Sequence, residues 1–103
     1  MKFLTITTYD VANVKEIAAV SDKLMGNMPK GYKPLAAYMC LGQMFPGLPP
    51  HSITSFNITE SDSAEAMAVV SYQFVLAGAT MHRIPVMEMP LGDTAKMEKE
   101  LGR

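Results

Sequence analysis

The chain has 103 residues, of which 49% are hydrophobic and 18% charged, with a net charge of -1 at neutral pH. This length allows one domain with a substantial core and excludes two. A net charge so close to zero argues against a nucleic-acid partner. So few charges in a small domain predict that part of the surface is buried against another copy of the chain.

The single cysteine, Cys40, excludes an internal disulfide framework and favours a reducing compartment, so we expect a cytoplasmic protein. No signal-peptide pattern precedes the first predicted strand. Residues 66–82 carry no full charge, but this stretch is at the lower limit of membrane-spanning length and contains Gln73 and Gly78. We therefore predict that the protein has no membrane partner.

The first half of the chain predicts a strand, a helix and a second strand. Residues 2–9 are rich in β-branched and aromatic side chains, as strands are. Asp10 stands where a helix N-cap belongs, before the amphipathic pattern of residues 11–25. Residues 32–42 predict the second strand, with Pro34 marking a strand start or a sheet edge.

The second half repeats this pattern after a proline-rich connection. Residues 43–50 exceed a hairpin turn and predict either a stiff surface connection or a lid. The third predicted strand, residues 52–59, leads to a helix over residues 63–77, which Asp62 and Glu65 would open as a capping box. This helix lacks a charged face, so we expect it to be buried nearly all round. The fourth predicted strand covers residues 81–89, placed at an edge by Pro85, and residues 94–101 predict a short helix.

The element order β-α-β-β-α-β predicts an α+β, ferredoxin-like fold. Right-handed crossovers then give a four-stranded antiparallel sheet with the first and third strands central and both helices on one face. We expect one domain over residues 1–103, with a C-terminal tail helix over residues 93–102. The uncovered face of the sheet would pair with a second copy and form a dimeric α/β barrel.

Three segments resemble the dimeric α/β-barrel superfamily, and within it a family of short proteins of unknown function. They are Met-Lys-Phe-Leu at 1–4, Glu-Ser-Asp-Ser-Ala-Glu-Ala-Met at 60–67 and Pro-Val-Met-Glu-Met at 85–89. The resemblance implies self-association, as a homodimer or a higher oligomer. The superfamily includes antibiotic-biosynthesis-type monooxygenases, isomerases, haem-handling enzymes and binding proteins. No catalytic motif of those enzymes maps onto this chain, so catalytic residues and enzymatic activity are left open.

Alternation along the strands divides their side chains between the two faces of the sheet, and a slip of one residue would exchange the faces. The apolar set is assigned to the helix side: Leu4, Ile6, Leu35, Ala37, Met39, Leu41, Phe56, Ile58, Ile84 and Val86. The opposite face then carries a mixed set: Phe3, Thr5, Thr7, Tyr9, Tyr38, Cys40, Ser55, Asn57, Arg83 and Met87. Such a mixture is typical of a small-molecule pocket, and the alternative is a dimer interface filled by its own side chains.

The strand directions predict that polar side chains meet at one end of the sheet. Tyr9, His51, His82 and Arg83 would converge there with the 43–50 loop, while Tyr38 and Asn57 would line the interior. Phenol, imidazole and guanidinium groups suit a small anionic or carbonyl ligand. The alternative is that the two histidines are ordinary surface residues. The predicted ligand-binding residues are Tyr9, Tyr38, His51, Asn57, His82 and Arg83.

The spacing of these residues argues against a metal. His51 and His82 would stand about 10 Å apart, and no third ligand has suitable spacing, so we predict neither a metal site nor a cofactor.

The sequence leaves two hypotheses for the function of the protein. The first is a small-molecule-binding protein or cofactor-free enzyme with its pocket inside a dimeric barrel. The alternative is a non-catalytic oligomeric assembly module.

Overall fold

The computed structural model describes residues 1–102 and contains one four-stranded sheet. Its elements in chain order are β1 (Lys2–Asp10), a 3-10 turn (Val11–Asn13), α1 (Val14–Gly26), β2 (Tyr32–Met39), β3 (Ser52–Ser61), α2 (Ala64–Leu76), β4 (Thr80–Val86) and α3 (Thr94–Glu100). The predicted α+β, ferredoxin-like fold is confirmed. The last residue of the predicted domain lies outside the described residues.

The strands lie in the order β2-β3-β1-β4, and every neighbouring pair is antiparallel. The predicted central positions of the first and third strands are therefore confirmed. The edge strands β2 and β4 carry Pro34 and Pro85 respectively. Proline is tolerated at a sheet edge because it has no N–H to give to a ladder.

Both edge strands end earlier than the sequence predicts. The last pair between β4 and β1 joins Val86 to Lys2, so residues 87–89 have no strand opposite them. β2 ends at Met39 rather than at residue 42. The amide of Cys40 still donates to the Thr54 carbonyl, at 2.9 Å, before the chain turns into the 43–50 loop.

The two predicted helix caps have different outcomes. The Asp10 carboxylate accepts a hydrogen bond from the Ala12 amide at 2.7 Å, as predicted, although the turn that it caps is a 3-10 turn. The predicted capping box at Asp62 is wrong. The hydroxyl of Ser63 caps α2 instead, accepting from the Ala66 amide at 3.1 Å, because Asp62 binds the Met1 amino group.

The assignment of the two sheet faces is wrong for β1, β3 and β4. Directly paired residues share a face, and Thr5 pairs with both Asn57 and Arg83. The Arg83 guanidinium reaches the Met67 carbonyl of α2, so this row lies under the helices. We call this face the helix side. Its strand residues are Phe3, Thr5, Thr7, Tyr9, Tyr32, Pro34, Ala37, Met39, Ile53, Ser55, Asn57, Thr59, Ser61, Met81, Arg83 and Pro85.

The other face, here called the open face, carries the aliphatic residues. Its members include Leu4, Ile6, Ala36, Tyr38, Phe56, Ile58, His82, Ile84 and Val86. The handedness of the crossovers decides which face the helices cover, independently of the apolar pattern. The chain thus puts Thr5, Thr7 and Thr59 under the helices and most of the aliphatic side chains of its strands on the open face.

In the second half of β2 the side chains lie on the predicted faces of the sheet. The reason is that the pairing of β2 with β3 shifts by one residue between Pro34 and Ala36. After this irregularity Ala37 and Met39 lie on the helix side, while Tyr38 lies on the open face. The three other strands continue without such a shift in their pairing.

The core under the helices consists of two small clusters. One contains Leu24, Tyr32, Ala66 and Val70, and the other contains Tyr9, Ile17 and Ala79.

The expected burial of the second helix on all sides does not occur within residues 1–102, where Val69 is 47% exposed. No helix of this part of the chain is both long and apolar enough to cross a membrane.

A candidate ligand cleft between α1 and the sheet

An open space separates α1 from the strands beneath it. Its outer part has a volume of about 400 Å3 and is lined by Ile17 and Ser21 of α1, by Tyr9 of β1 and by Ser55 and Asn57 of β3. A deeper pocket of about 120 Å3 adjoins it and shares Ser21 and Asn57 with it. We call the two together the helix–sheet cleft.

The deeper pocket has apolar walls and a polar floor. Its walls are formed by Leu24, Met28, Tyr32, Val70 and Phe74, and its floor includes Asn57 and Thr59. Leu24, Tyr32 and Val70 are themselves buried core residues, so this wall is held in place by packing. Apolar walls with a few polar groups are the usual composition of a small-molecule site.

Small side chains explain why this space stays open. On α1 the cleft is lined by Ala18 and Ser21, between the larger Ile17 and Leu24. On β2, Ala37 lines both parts of the cleft, and the longer Met39 lines the outer part. The buried residues of α1 are Ile17 and Leu24.

Two polar atoms on the cleft floor have no hydrogen-bond partner among residues 1–102. They are Oδ1 of Asn57 and Oγ1 of Thr59, and both are buried. Thr59 is only 1% exposed. A buried polar atom without a partner costs about 1–3 kcal/mol, so such atoms are rare in folded proteins. By contrast, the buried Thr54 hydroxyl lies 3.3 Å from that of Thr8.

Arg83 is the third residue with an unpartnered buried atom in the described part of the chain. Its Nε donates to Thr5 Oγ1 at 3.2 Å, and its Nη1 reaches the Met67 carbonyl at 3.5 Å. Its Nη2 is buried and has no partner within residues 1–102. No carboxylate of these residues lies within 4.0 Å of the guanidinium. Arg83 is thus a half-buried cation with no counter-ion among residues 1–102.

The predicted ligand-binding residues lie on different faces. Tyr9, Asn57 and Arg83 are on the helix side, and the first two line the cleft. Tyr38 and His82 are on the open face, away from Arg83, although Tyr38 also borders the outer part of the cleft.

The predicted convergence at one end of the sheet is wrong. Arg83 pairs with Thr5, in the middle of β1, whereas Tyr9 lies at the end of that strand. Position 5 and position 9 of β1 are four residue steps apart, which is about 14 Å along the strand. β4 starts opposite Thr8, so its third and fourth residues are already well inside the sheet.

His51 lies in the turn before β3, with a left-handed backbone (φ 61°) that is uncommon for residues other than glycine. Its carbonyl accepts a hydrogen bond from the Val11 amide at 2.8 Å and so ties this turn to the end of β1. The expected position of His82 at the same end of the sheet as His51 is wrong, because His82 pairs with Ile6 inside the sheet. Residues 1–102 contain no group of three or more side chains placed to bind a metal ion.

Sequence reasoning missed Thr59, Ser21 and Phe74 as lining residues of the cleft. Thr59 continues the alternation of Ser55 and Asn57 along β3, and this signal was available in the sequence. The walls that α1 and α2 contribute depend on how far the helices stand from the sheet, which no sequence pattern encodes.

Electrostatic interactions of the acidic residues take place away from the cleft. All carboxylates of residues 1–102 are exposed, and none lines the cleft. A hydrogen bond from Lys2 lowers the pKa of Glu88, and one from the Met1 amino group lowers the pKa of Asp62. The same contact with Glu88 raises the pKa of Lys2. The cleft therefore offers neutral hydrogen-bonding groups, with Arg83 as the charged side chain on this face of the sheet.

No protein-family model and no curated protein matches the sequence. Solved structures share its fold. An uncharacterized protein from Thermotoga maritima has a TM-score of 0.57 at 8% identity, over 84% of this chain and 96% of that one. A dimeric ferredoxin-like protein of unknown function from Jannaschia sp. CCS1 has a TM-score of 0.50 at 14% identity, over 84% and 100%. The C-terminal domain of the MgtC protein from Mycobacterium tuberculosis has a TM-score of 0.57 at 8% identity, over 81% and 84%. These likenesses show the fold alone.

Proposed function

We propose that the protein is a homodimer that binds a small molecule with an apolar body in the helix–sheet cleft. The observation that carries this proposal is the pair of unpartnered buried atoms, Asn57 Oδ1 and Thr59 Oγ1, on the floor of an open pocket. A ligand hydroxyl or amide would satisfy both atoms, while Leu24, Met28 and Phe74 enclose its apolar part.

The pocket that we propose lies under α1 and not inside a barrel formed by two sheets. Most of the strand residues of the predicted mixed polar and apolar set lie on the helix side, which supports this location. The open face offers a ligand mainly aliphatic and aromatic side chains, which pack well against a second sheet.

The groups on the cleft floor favour binding over catalysis. Asn57 and Thr59 are neutral and hold their protons at physiological pH, so they orient a ligand and do not act as general acids or bases. The two histidines, His51 and His82, do not line the cleft. We therefore propose that the cleft binds a ligand without catalysing a reaction.

Self-association rests on the exposed area of the single chain. The chain exposes 7319 Å2, against about 5,700 Å2 for a compact monomer of 11.2 kDa. Its radius of gyration is 15.8 Å, against about 13 Å for a compact domain of this length. This surplus of about 1,600 Å2 on one chain exceeds the roughly 800 Å2 that each partner buries in a stable interface of standard size. We expect the dimer interface to lie on the aliphatic open face. One solved structure with this fold is described as dimeric.

Thermal-shift screening against a metabolite library tests the binding proposal, since a ligand of the folded state raises the melting temperature. The Ala37→Phe variant fills the cleft, because Ala37 lines both of its parts. Ala19→Phe on the exposed outer side of α1 is the matched control. We expect compounds that stabilise the parent and the control but not Ala37→Phe. Equal stabilisation of all three proteins would contradict a site in the cleft.

The aliphatic open face also supports a second candidate, a non-catalytic assembly module that uses this face alone. The same screen separates the two. An assembly module gives no compound whose effect depends on Ala37, while its dimerisation still depends on the open face.

A further inference from the structure

We infer that the ligand of the helix–sheet cleft is an uncharged aromatic compound with a single ring and a hydroxyl or carboxamide group beside that ring. This inference rests on the proposed function and names the chemical class of its ligand. Three features of the cleft favour this class: the size of the deeper pocket, the side chains of its walls, and a lining of residues 1–102 that contains no charged side chain.

The deeper pocket has a volume suited to one ring. It measures about 120 Å3, whereas an apolar cavity of about 150 Å3 engineered in another protein binds a benzene molecule. Because this pocket adjoins the outer part of the cleft, a substituent on the ring has room to extend there. The deeper pocket therefore suits one six-membered ring better than a long alkyl chain.

The walls of the deeper pocket favour an aromatic ring over a saturated one. They include the rings of Tyr32 and Phe74 and the thioether of Met28. Tyr32 is a buried core residue, and Met28 and Phe74 pack against the same cluster, so these walls exist before a ligand arrives. Aromatic rings attract one another in stacked or edge-on arrangements, and a thioether sulfur makes favourable contacts with an aromatic ring. A saturated ring of similar size would lack both interactions.

Four residues line both parts of the cleft and so mark the neck between them. They are Ser21 of α1, Ala37 of β2, Asn57 of β3 and Phe74 of α2. Two of the four are polar, and both the serine hydroxyl and the asparagine amide can donate and accept hydrogen bonds. A hydroxyl or carboxamide on the ring, or one carbon away from it, would lie at this neck and bind both side chains.

The cleft has no partner for a charged group. No charged side chain of residues 1–102 lines either of its parts. Arg83 lies on the same face of the sheet, but the fully buried Thr5 stands between it and Asn57 in their row. A carboxylate or an ammonium group would therefore lose water in the cleft without gaining an opposite charge. We therefore expect an uncharged ligand.

The test compares matched probes of fragment size by NMR titration of the full chain, which gives their dissociation constants. Benzyl alcohol is compared with cyclohexylmethanol, whose ring is saturated, and benzamide with benzoate, which is charged at neutral pH. We expect cyclohexylmethanol to bind at least about threefold more weakly than benzyl alcohol, because it lacks the aromatic contacts. We expect benzoate to bind at least about tenfold more weakly than benzamide, because its charge has no partner.

Two variants and one further probe locate the polar group of the ligand. Ser21→Ala should weaken the binding of benzyl alcohol at least about threefold and leave that of toluene unchanged, because toluene has no group to bond at the neck. Asp22→Ala, at an exposed neighbouring position of α1 that does not line the cleft, should bind both probes like the parent.

Three results would overturn the inference. Benzoate that binds the parent as tightly as benzamide contradicts an uncharged ligand, and cyclohexylmethanol that binds as tightly as benzyl alcohol contradicts an aromatic one. A Ser21→Ala variant that affects benzyl alcohol and toluene equally contradicts a polar group at the neck.

The failure of this inference is distinguishable from that of the proposed function. If the aromatic probes do not bind but other library compounds stabilise the parent through Ala37, the chemical class is wrong and the cleft remains a binding site. If no compound of either set binds, the proposed function fails and the inference with it.

Discussion

Tyr38 and Phe56 stack against each other on the open face, with ring centroids 5.2 Å apart and ring planes 26° from parallel. They lie directly opposite each other on β2 and β3. Tyr38 is nevertheless 57% exposed, because α1 and α2 cover the other side of the sheet. A single chain therefore leaves a preorganised aromatic pair, surrounded by aliphatic side chains, in contact with water.

The first prediction concerns this open face and the variant Ile84→Asp. Ile84 is exposed in the single chain, so the aspartate is compatible with the fold of one copy. Between two sheets it would be an unpaired buried charge, and we expect the dissociation constant of the dimer to rise at least about 100-fold. Sedimentation at micromolar concentration measures this change, with circular dichroism to confirm the fold.

Ala19→Asp is the control for that experiment, since Ala19 lies on the exposed outer side of α1. It introduces the same charge away from the open face and should leave the dimer intact. A parent protein that sediments as a compact monomer would contradict the dimer itself. A dimer that tolerates Ile84→Asp would place the interface elsewhere.

The second prediction compares two neighbouring positions of α2. Val70 is 3% exposed, so Val70→Asp should lower the free energy of unfolding by about 3 kcal/mol or more. Val69 is exposed in the single chain, so Val69→Asp should change it by no more than about 0.5 kcal/mol. Chemical denaturation measures both. A large loss for Val69→Asp would show that another copy covers the outer side of α2.

The third prediction uses two buried threonines. Thr59→Val removes a hydroxyl that has no partner within residues 1–102, so it should leave stability unchanged or raise it by up to about 1 kcal/mol. Thr54→Val removes a hydroxyl beside that of Thr8 and should cost about 0.5–1.5 kcal/mol. Urea denaturation without ligand compares the two variants. Equal losses would mean that the Thr59 hydroxyl is satisfied and does not await a ligand.

The fourth prediction concerns the Lys2–Glu88 ion pair. Lys2 lowers the pKa of Glu88, so the contribution of the carboxylate to stability is present above its unfolded pKa of about 4.3 and disappears as the pH falls through the folded value. Glu88 raises the pKa of Lys2, so that contribution is present below about 10.4 and disappears as the pH rises through the folded value.

Glu88→Gln should therefore destabilise the protein slightly at pH 7 and not at all near pH 3, as measured by thermal unfolding. The effect should be small and sensitive to salt, because Glu88 is exposed. A difference from the parent that is the same at both pH values would exclude this ion pair as its source.

The architecture of this chain follows from its sequence pattern because each element carries a local signal. Asp10 marks the start of the first helical segment, and Pro34 and Pro85 mark the two edge strands. The element order then leaves few topologies, since parallel crossovers are right-handed. The ends of β2 and β4 were less predictable, because they depend on the length of the strand opposite.

The site was less predictable than the fold because alternation does not identify which face the helices cover. Ile6 and Thr5 are equally good strand residues, and the usual preference for aliphatic burial favours placing Ile6 under the helices. The structure does the reverse: Thr5 is fully buried, and Ile6 is on the open face. If dimerisation buries the aliphatic face, as we propose, a single copy exposes the residues that sequence patterns place in the core.

The location of the ligand relative to the sheet is the central claim of this account, and methyl NMR tests it most directly. Titration of the 13C-methyl-labelled protein with a stabilising compound should shift the methyl signals of Leu24, Met28 and Val70, which line the cleft. The signals of Leu4, Ile58 and Ile84 on the open face should stay unchanged. Shifts confined to the open-face methyl groups would place the ligand between two sheets and contradict a binding site under α1.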